Sequence, residues 1–121
     1  MSLPDTDEAL ILLHNPRCSK SRQVKALLEE RSVGFVERRY LDEPLDPQEL
    51  EDLERRMGRP LREWTRHKES AFAESGLAED SDDQAYREAV AERPILMERP
   101  ILVRGRRAKV GRPPEVVLDL L

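Results

Sequence analysis

At 121 residues, of which 38% are hydrophobic and 38% charged, the chain has the length of one domain with a single core. Its formal net charge of −4 argues against broad nucleic-acid binding, which usually needs a strongly basic face, and no apolar run approaches the roughly 20 residues of a membrane span. The first eight residues are acidic and lack the basic and apolar regions of a signal peptide, and one cysteine cannot build a secreted disulfide framework, so the expected location is the cytoplasm.

Residues 1–8 read as a flexible N-terminal extension to a single domain over 9–121. Ala9 to Leu13 is a short continuous apolar run, the pattern of a buried strand. From Ser21 onward Val24, Leu27 and Leu28 fall at helical spacing, which predicts an amphipathic helix to about Arg31. Phe35, Val36, Tyr40 and Leu41 predict a second strand, interrupted by the charged Glu37, Arg38 and Arg39.

Asp46-Pro47-Gln48-Glu49 has the grammar of a helix start, with Asp as N-cap, Pro at the first helical position and Glu at the third. Leu50, Leu53 and Met57 would form its apolar face and Gly58 its end. The remaining charges from Glu51 to Arg56 read as a solvated face. Short helices are expected over Leu61–His67 and from Ser81 to Glu92, completing a helical insertion at about 46–93. Ile101-Leu102-Val103 and Ala108-Lys109-Val110 flank Arg104-Gly105-Arg106-Arg107, which predicts a β-hairpin, and Pro113-Pro114 open a last helix. The order β-α-β, helical segment, β-β-α implies an α/β fold, a mixed sheet with helices packed on it.

Cys18 is the only cysteine. It stands where the first strand turns into the first helix, so free N–H groups and the helix dipole favour its thiolate. Arg17, Lys20 and Arg22 are its neighbours in sequence and His14 ends the strand. Cys18-Ser19-Lys20-Ser21 is the one-thiol version of a Cys-x-x-Cys redox site, and a hydroxyl at Ser21 cannot supply half of a disulfide. Any oxidised state of Cys18 must therefore be resolved by a thiol from another molecule. A phosphatase-type anion loop does not fit, because Arg22 follows Cys18 too closely. Trp64 reads as a packing residue, and one cysteine with His14 and His67 is not a metal site of usual composition.

His14-Asn15-Pro16-x-Cys18-x-x-Ser21-Arg22 resembles the active-site segment of the glutaredoxin-linked arsenate reductase (ArsC) family. The likeness continues through Arg62–Lys68, Gly76–Asp80, Arg93–Val103 and Gly111–Val117, covering nearly the whole chain beyond Glu8. It implies a thioredoxin-like fold with a helical insertion. It also implies that Cys18 is the nucleophile, that Arg66, Arg99 and Arg112 hold the oxyanion, and that His14 helps keep the thiol ionised. Pro100 matches the proline that is usually cis beside the thiol in such folds, and Asn15, Ser21 and Arg22 are supporting members of the motif.

The implied activity is reduction of arsenate to arsenite, an arsenic-detoxifying reaction. Glutathione would serve as co-substrate and glutaredoxin as reducing partner, with a monomeric protein and no bound cofactor or metal. Members that reduce arsenate commonly carry Gly-Thr after the cysteine, where this chain has Ser19-Lys20. Two other readings share the fold: an Spx-like regulator that binds RNA polymerase, and a glutathione-dependent thiol oxidoreductase without arsenate activity.

Overall fold

The structure is a computed structural model that describes Leu3 and residues 9–121. The predicted N-terminal extension lies outside the described residues except for Leu3, which is buried in the core. Four strands form one sheet in the order β2-β1-β3-β4, with β1 at Leu10–His14, β2 at Val36–Arg39, β3 at Ile101–Arg104 and β4 at Arg107–Val110. Strand β1 pairs parallel to β2 and antiparallel to β3, and β3 pairs antiparallel to β4. This is the mixed sheet expected from a β-α-β unit followed by a hairpin.

The continuous apolar run of β1 follows from its central position, where both faces are covered. Ile11 and Leu13 join Ile101 and Val103 on one face, packing against Leu50, Leu53, Trp64, Tyr86 and Val90 of the insertion. Leu10 and Leu12 join Leu102 on the other, against Val24 and Leu28 of helix α1 (Ser19–Glu30) and Val117 and Leu120 near the C-terminus. Each such side chain, fully buried, contributes about 1.5–3 kcal/mol to the hydrophobic stabilisation.

Helix α2 (Pro47–Met57) begins on a complete capping box. The Asp46 carboxylate accepts from the Glu49 N–H, and the Glu49 carboxylate accepts from the Asp46 N–H. Gly58 ends it in the left-handed conformation at φ 71°, where a side chain would be strained. Helices α3 (Ser70–Ser75) and α4 (Asp83–Glu92) complete the insertion.

Several expectations are corrected. The charged triplet Glu37-Arg38-Arg39 does not interrupt the second strand; it is the body of it. Arg38 is tolerated because its guanidinium is wholly engaged, by Glu49 at 2.6 and 3.2 Å and by the carbonyls of Glu43 and Pro44. A buried pair satisfied in this way ties β2 to the start of α2, and losing one partner of such a pair costs about 3–5 kcal/mol. The expected helix over Leu61–His67 is a 3₁₀ turn at Leu61–Trp64, because Thr65 leaves it to bridge Met97. Helix α3 was not foreseen. The last helix is 3₁₀ over Pro114–Leu120. The face from Glu51 to Arg56 is only partly solvated: Glu54 is held by Arg87 at 2.6 Å, and Arg56 donates to the Gly105 carbonyl at 2.6 Å.

Candidate active site

Cys18 is the N-cap residue of α1 and is buried. The loop before it is pinned by short-range bonds. Asn15 accepts from the Cys18 N–H through its carbonyl and from the Arg17 N–H through its side chain, both at 3.0 Å. The Ser21 hydroxyl accepts from the Asn15 N–H at 3.0 Å and shares a 2.7 Å hydrogen bond with His14 Nδ1. Arg22 donates to the Pro16 carbonyl at 3.0 Å. Ser21, read in the sequence as the place of a missing thiol, is thus a clasp between strand end and helix start. Ser19 is exposed and Lys20 half-buried.

Burial pushes the Cys18 thiol pKa up, but the Ser21 N–H, the Arg99 guanidinium and the Lys20 N–H together outweigh it, so the pKa lies below that of an ordinary thiol. Burial likewise lowers His14; Lys25, Arg39 and Arg22 add to this and Glu37 opposes it. His14 is therefore a neutral imidazole at pH 7, joined to Ser21.

The register of the sheet explains which residues meet. Strand β1 ends at His14, beside Arg39 at the end of the parallel β2; on its other side Leu13 pairs with Ile101 at the start of β3, and Ile101 pairs with Val110 at the end of β4. One edge of the sheet therefore collects Tyr40, the Asn15–Cys18 loop, Arg99-Pro100 and Gly111-Arg112, in that spatial order. In open α/β sheets ligands bind outside the carboxyl ends of parallel strands. The Arg99-Pro100 peptide bond is cis, and so is Arg112-Pro113. Gly111 donates its N–H to the Pro100 carbonyl at 2.8 Å, an approach so close that a Cβ there would lie 2.8 Å from Val24 and 3.0 Å from the Pro100 ring.

Arg112 is bound in place by donating from Nε to the Arg99 carbonyl at 2.7 Å, and its Nη2 lies 3.8 Å from Cys18 Sγ. Arg99 stands beside the same sulfur, and its buried Nε and Nη1 have no hydrogen-bond partner among the described residues. Arg66 comes from the insertion. Its N–H donates to the Leu96 carbonyl at 2.6 Å and its guanidinium pairs with Glu69 at 2.9 Å. Arg66 and Arg112 share a cleft of about 450 Å³ that Lys68, Glu69 and Glu98 also line. The three arginines singled out in the sequence thus stand on the Cys18 side of the molecule, two at the sulfur and one across the cleft.

Sequence reasoning missed the acidic partners and one phenol. Glu69 faces Arg66, and Glu98 lies 3.6 Å from Arg112 Nε. Glu98 directly precedes Arg99, so only the fold reveals that it faces a different arginine. Tyr40, read as a strand residue, is fully buried, with Arg99, Cys18 and Arg66 close enough to act electrostatically on its hydroxyl and Asn15 in hydrogen-bond contact with it.

Comparison with known proteins agrees with this geometry. The protein YfgD of Escherichia coli K12 is 43% identical over 112 residues, covering 91% of this chain and 94% of that protein. A Neisseria meningitidis protein named arsenate reductase is 42% identical, covering 91% and 96%. The solved structure of an arsenate reductase from Vibrio cholerae superposes with a TM-score of 0.89 at 38% identity, covering 96% of this chain and all of that one. The fold is thioredoxin-like. A profile of the ArsC family matches residues 13–120, and the chain belongs to that family.

Proposed function

We propose that this protein is an arsenate reductase that uses Cys18 as its single nucleophile, with glutathione and glutaredoxin as external reductants in the cytoplasm. The observation that carries the reading is a thiol of lowered pKa flanked by guanidinium donors, Arg112 at 3.8 Å and Arg99 with two buried nitrogens unpaired. Donors of fixed geometry and permanent charge suit a tetrahedral oxyanion and offset its repulsion from a thiolate.

In this mechanism the Cys18 thiolate attacks arsenic, an As–S bond forms, and one arsenate oxygen leaves as water after protonation; arsenic remains pentavalent. Arg99, Arg112 and Arg66 hold the remaining oxygens in line. Glutathione thiolate then adds to arsenic with loss of a second oxygen as water. A glutaredoxin thiolate takes the glutathionyl sulfur as a mixed disulfide, and the As–S bonding pair passes to arsenic, reducing it by two electrons. Water releases arsenite and regenerates Cys18. A cleft of about 500 Å³ beyond Arg112 is large enough for a tripeptide thiol, whose carboxylates would compete with Glu63 for Arg59 and with Asp119 for Lys109. His14 and Ser21 serve by holding the loop in which the thiolate is favoured.

The test is NADPH oxidation coupled through glutathione reductase, glutathione and glutaredoxin, with and without arsenate, for the wild type and Cys18→Ser. An arsenate-dependent rate in the wild type that falls at least about 10³-fold in the variant is expected. No arsenate-dependent rate with any of several glutaredoxins would overturn the proposal.

A further inference from the structure

Tyr40 is the first residue after β2, and the parallel register that pairs His14 with Arg39 sets it level with Asn15 at the carboxyl edge of the sheet. Its ring packs in the core with Leu13, Leu50 and Trp64, and the residue is 0% exposed. Phenylalanine would fill that space equally well. Yet the side chain carries a hydroxyl; the Asn15 side-chain amide can donate to its oxygen, but its own proton meets no acceptor among the described residues. The Asn15 side-chain oxygen beside it already accepts from the Arg17 N–H.

A buried hydroxyl whose proton has no acceptor is a standing cost to the fold, because the bond that proton gave to water is not replaced. Such groups persist where something else uses them. The groups close enough to act on it electrostatically are Arg99, Cys18 and Arg66, with Asn15 in hydrogen-bond contact, and these are members of the candidate site rather than of the core. Arg99 has the same character, with Nε and Nη1 buried and unpaired. Two donors of different kinds, one cationic and one neutral, thus stand unmatched at one place.

We propose that the Tyr40 hydroxyl is a direct hydrogen-bond donor to the oxyanion held over Cys18, a substrate-binding role additional to the three arginines. The inference rests on the oxyanion reading of the site. Burial keeps the phenol protonated, with its pKa pushed up to about 12, so it donates over the whole working pH range. A neutral donor adds a bond to an oxygen without adding charge that would compete for the thiolate. It also approaches from the sheet side, whereas Arg66 comes from the insertion and Arg112 from the end of β4.

The test compares the wild type with Tyr40→Phe, which keeps the ring and removes only the hydroxyl. Three quantities are read: the melting temperature without anion, the pH midpoint of Cys18 alkylation by iodoacetamide, and the arsenate or sulfate concentration that half-protects Cys18 from that alkylation. Expected are a melting temperature equal to or above the wild type, an unchanged pH midpoint, and about tenfold more anion for half-protection. A lower melting temperature would give the hydroxyl a structural role, and a raised pH midpoint would assign it to the thiolate. Either result, or equal half-protection concentrations, would overturn the proposal. Protection depends on binding and not on turnover, so a wild type that is protected but reduces no arsenate would sink the reductase reading while still judging Tyr40. A wild type that no oxyanion protects would overturn both.

Discussion

The two halves of the candidate site are built on opposite principles. On the thiol side, every bond that shapes the loop joins residues within seven positions of one another, from His14 to Arg22, and the polar atoms are paired. On the arginine side, Arg66, Arg99 and Arg112 come from three separate segments, and buried donors without an acceptor among the described residues are there, on Arg99 and on Tyr40. The difference teaches that the shape of the thiol loop is a property of local chain geometry, while the anion environment, and with it the guanidinium contribution to the thiol's lowered pKa, is a property of the sheet edge. The first can be rigid before the second is assembled, because it draws only on a strand end and a helix N-terminus.

The arginine side gives the largest way to sharpen this contrast. Arg99→Ala removes the guanidinium whose Nε and Nη1 lack partners among the described residues, and kcat/KM for arsenate is expected to fall about 10²–10³-fold, as for loss of a preorganised anion donor. Arg66→Ala should cost only about tenfold, because Glu69 already neutralises that guanidinium and any oxyanion must compete with the pair. Equal losses measured in the coupled assay would erase the distinction between them.

Gly111→Ala probes the sheet edge without touching a charge. The added Cβ meets Val24 and Pro100 and must displace one of them, at about 1–3 kcal/mol, and Arg112 should move away from the sulfur with it. Urea denaturation measures the first effect and the arsenate KM the second. Full stability with normal KM would show that the edge is softer than its packing implies.

Smaller effects test the thiol side. Because the N–H groups of Ser21 and Lys20 and the Arg99 guanidinium outweigh burial, the alkylation rate of Cys18 should titrate with a midpoint below the roughly 8.5 of a free cysteine. A midpoint at or above that value would leave the thiol unactivated. His14 has a lowered pKa, so the fold binds the neutral imidazole better than the unfolded chain does. The unfolded state then takes up more protons as pH falls, and stability from this group is present above about pH 6.5 and fades below it as pH passes through the folded value. Melting curves from pH 5 to 7.5 should show the wild type losing stability relative to His14→Gln on the acid side; parallel curves would contradict the assignment.

Legibility in the sequence followed the same division. The capping box at Asp46 and Glu49, the left-handed Gly58 and the buried run of β1 rest on bonds or periodicities inside a few residues, and the structure keeps them. Arg38 was misread because a charged residue in a strand looks like an interruption until Glu49, eleven residues on, is seen to meet it. The turn at Leu61–Trp64 was overextended for a similar reason, since only the bridge from Thr65 to Met97 pulls the chain out of helix. Among site residues, Cys18, His14 and Ser21 announce themselves by adjacency. The arginines were reached through family resemblance rather than through any pattern in charge, and Tyr40 and Glu98 carried no signal at all.

The sequence by itself determined the order of the four strands and the single thiol at a helix N-terminus, along with the fact that any disulfide formed there must join a second molecule. These depend on local spacing and on the count of one residue type. The tertiary structure alone decided that Tyr40, Arg99 and Arg112 share an edge with that thiol, and which arginines are already paired with carboxylates. Side chains from positions 40, 66, 99 and 112 can meet position 18 only through strand register and crossover, and whether a buried donor is paired depends on which chain segments the sheet brings alongside it.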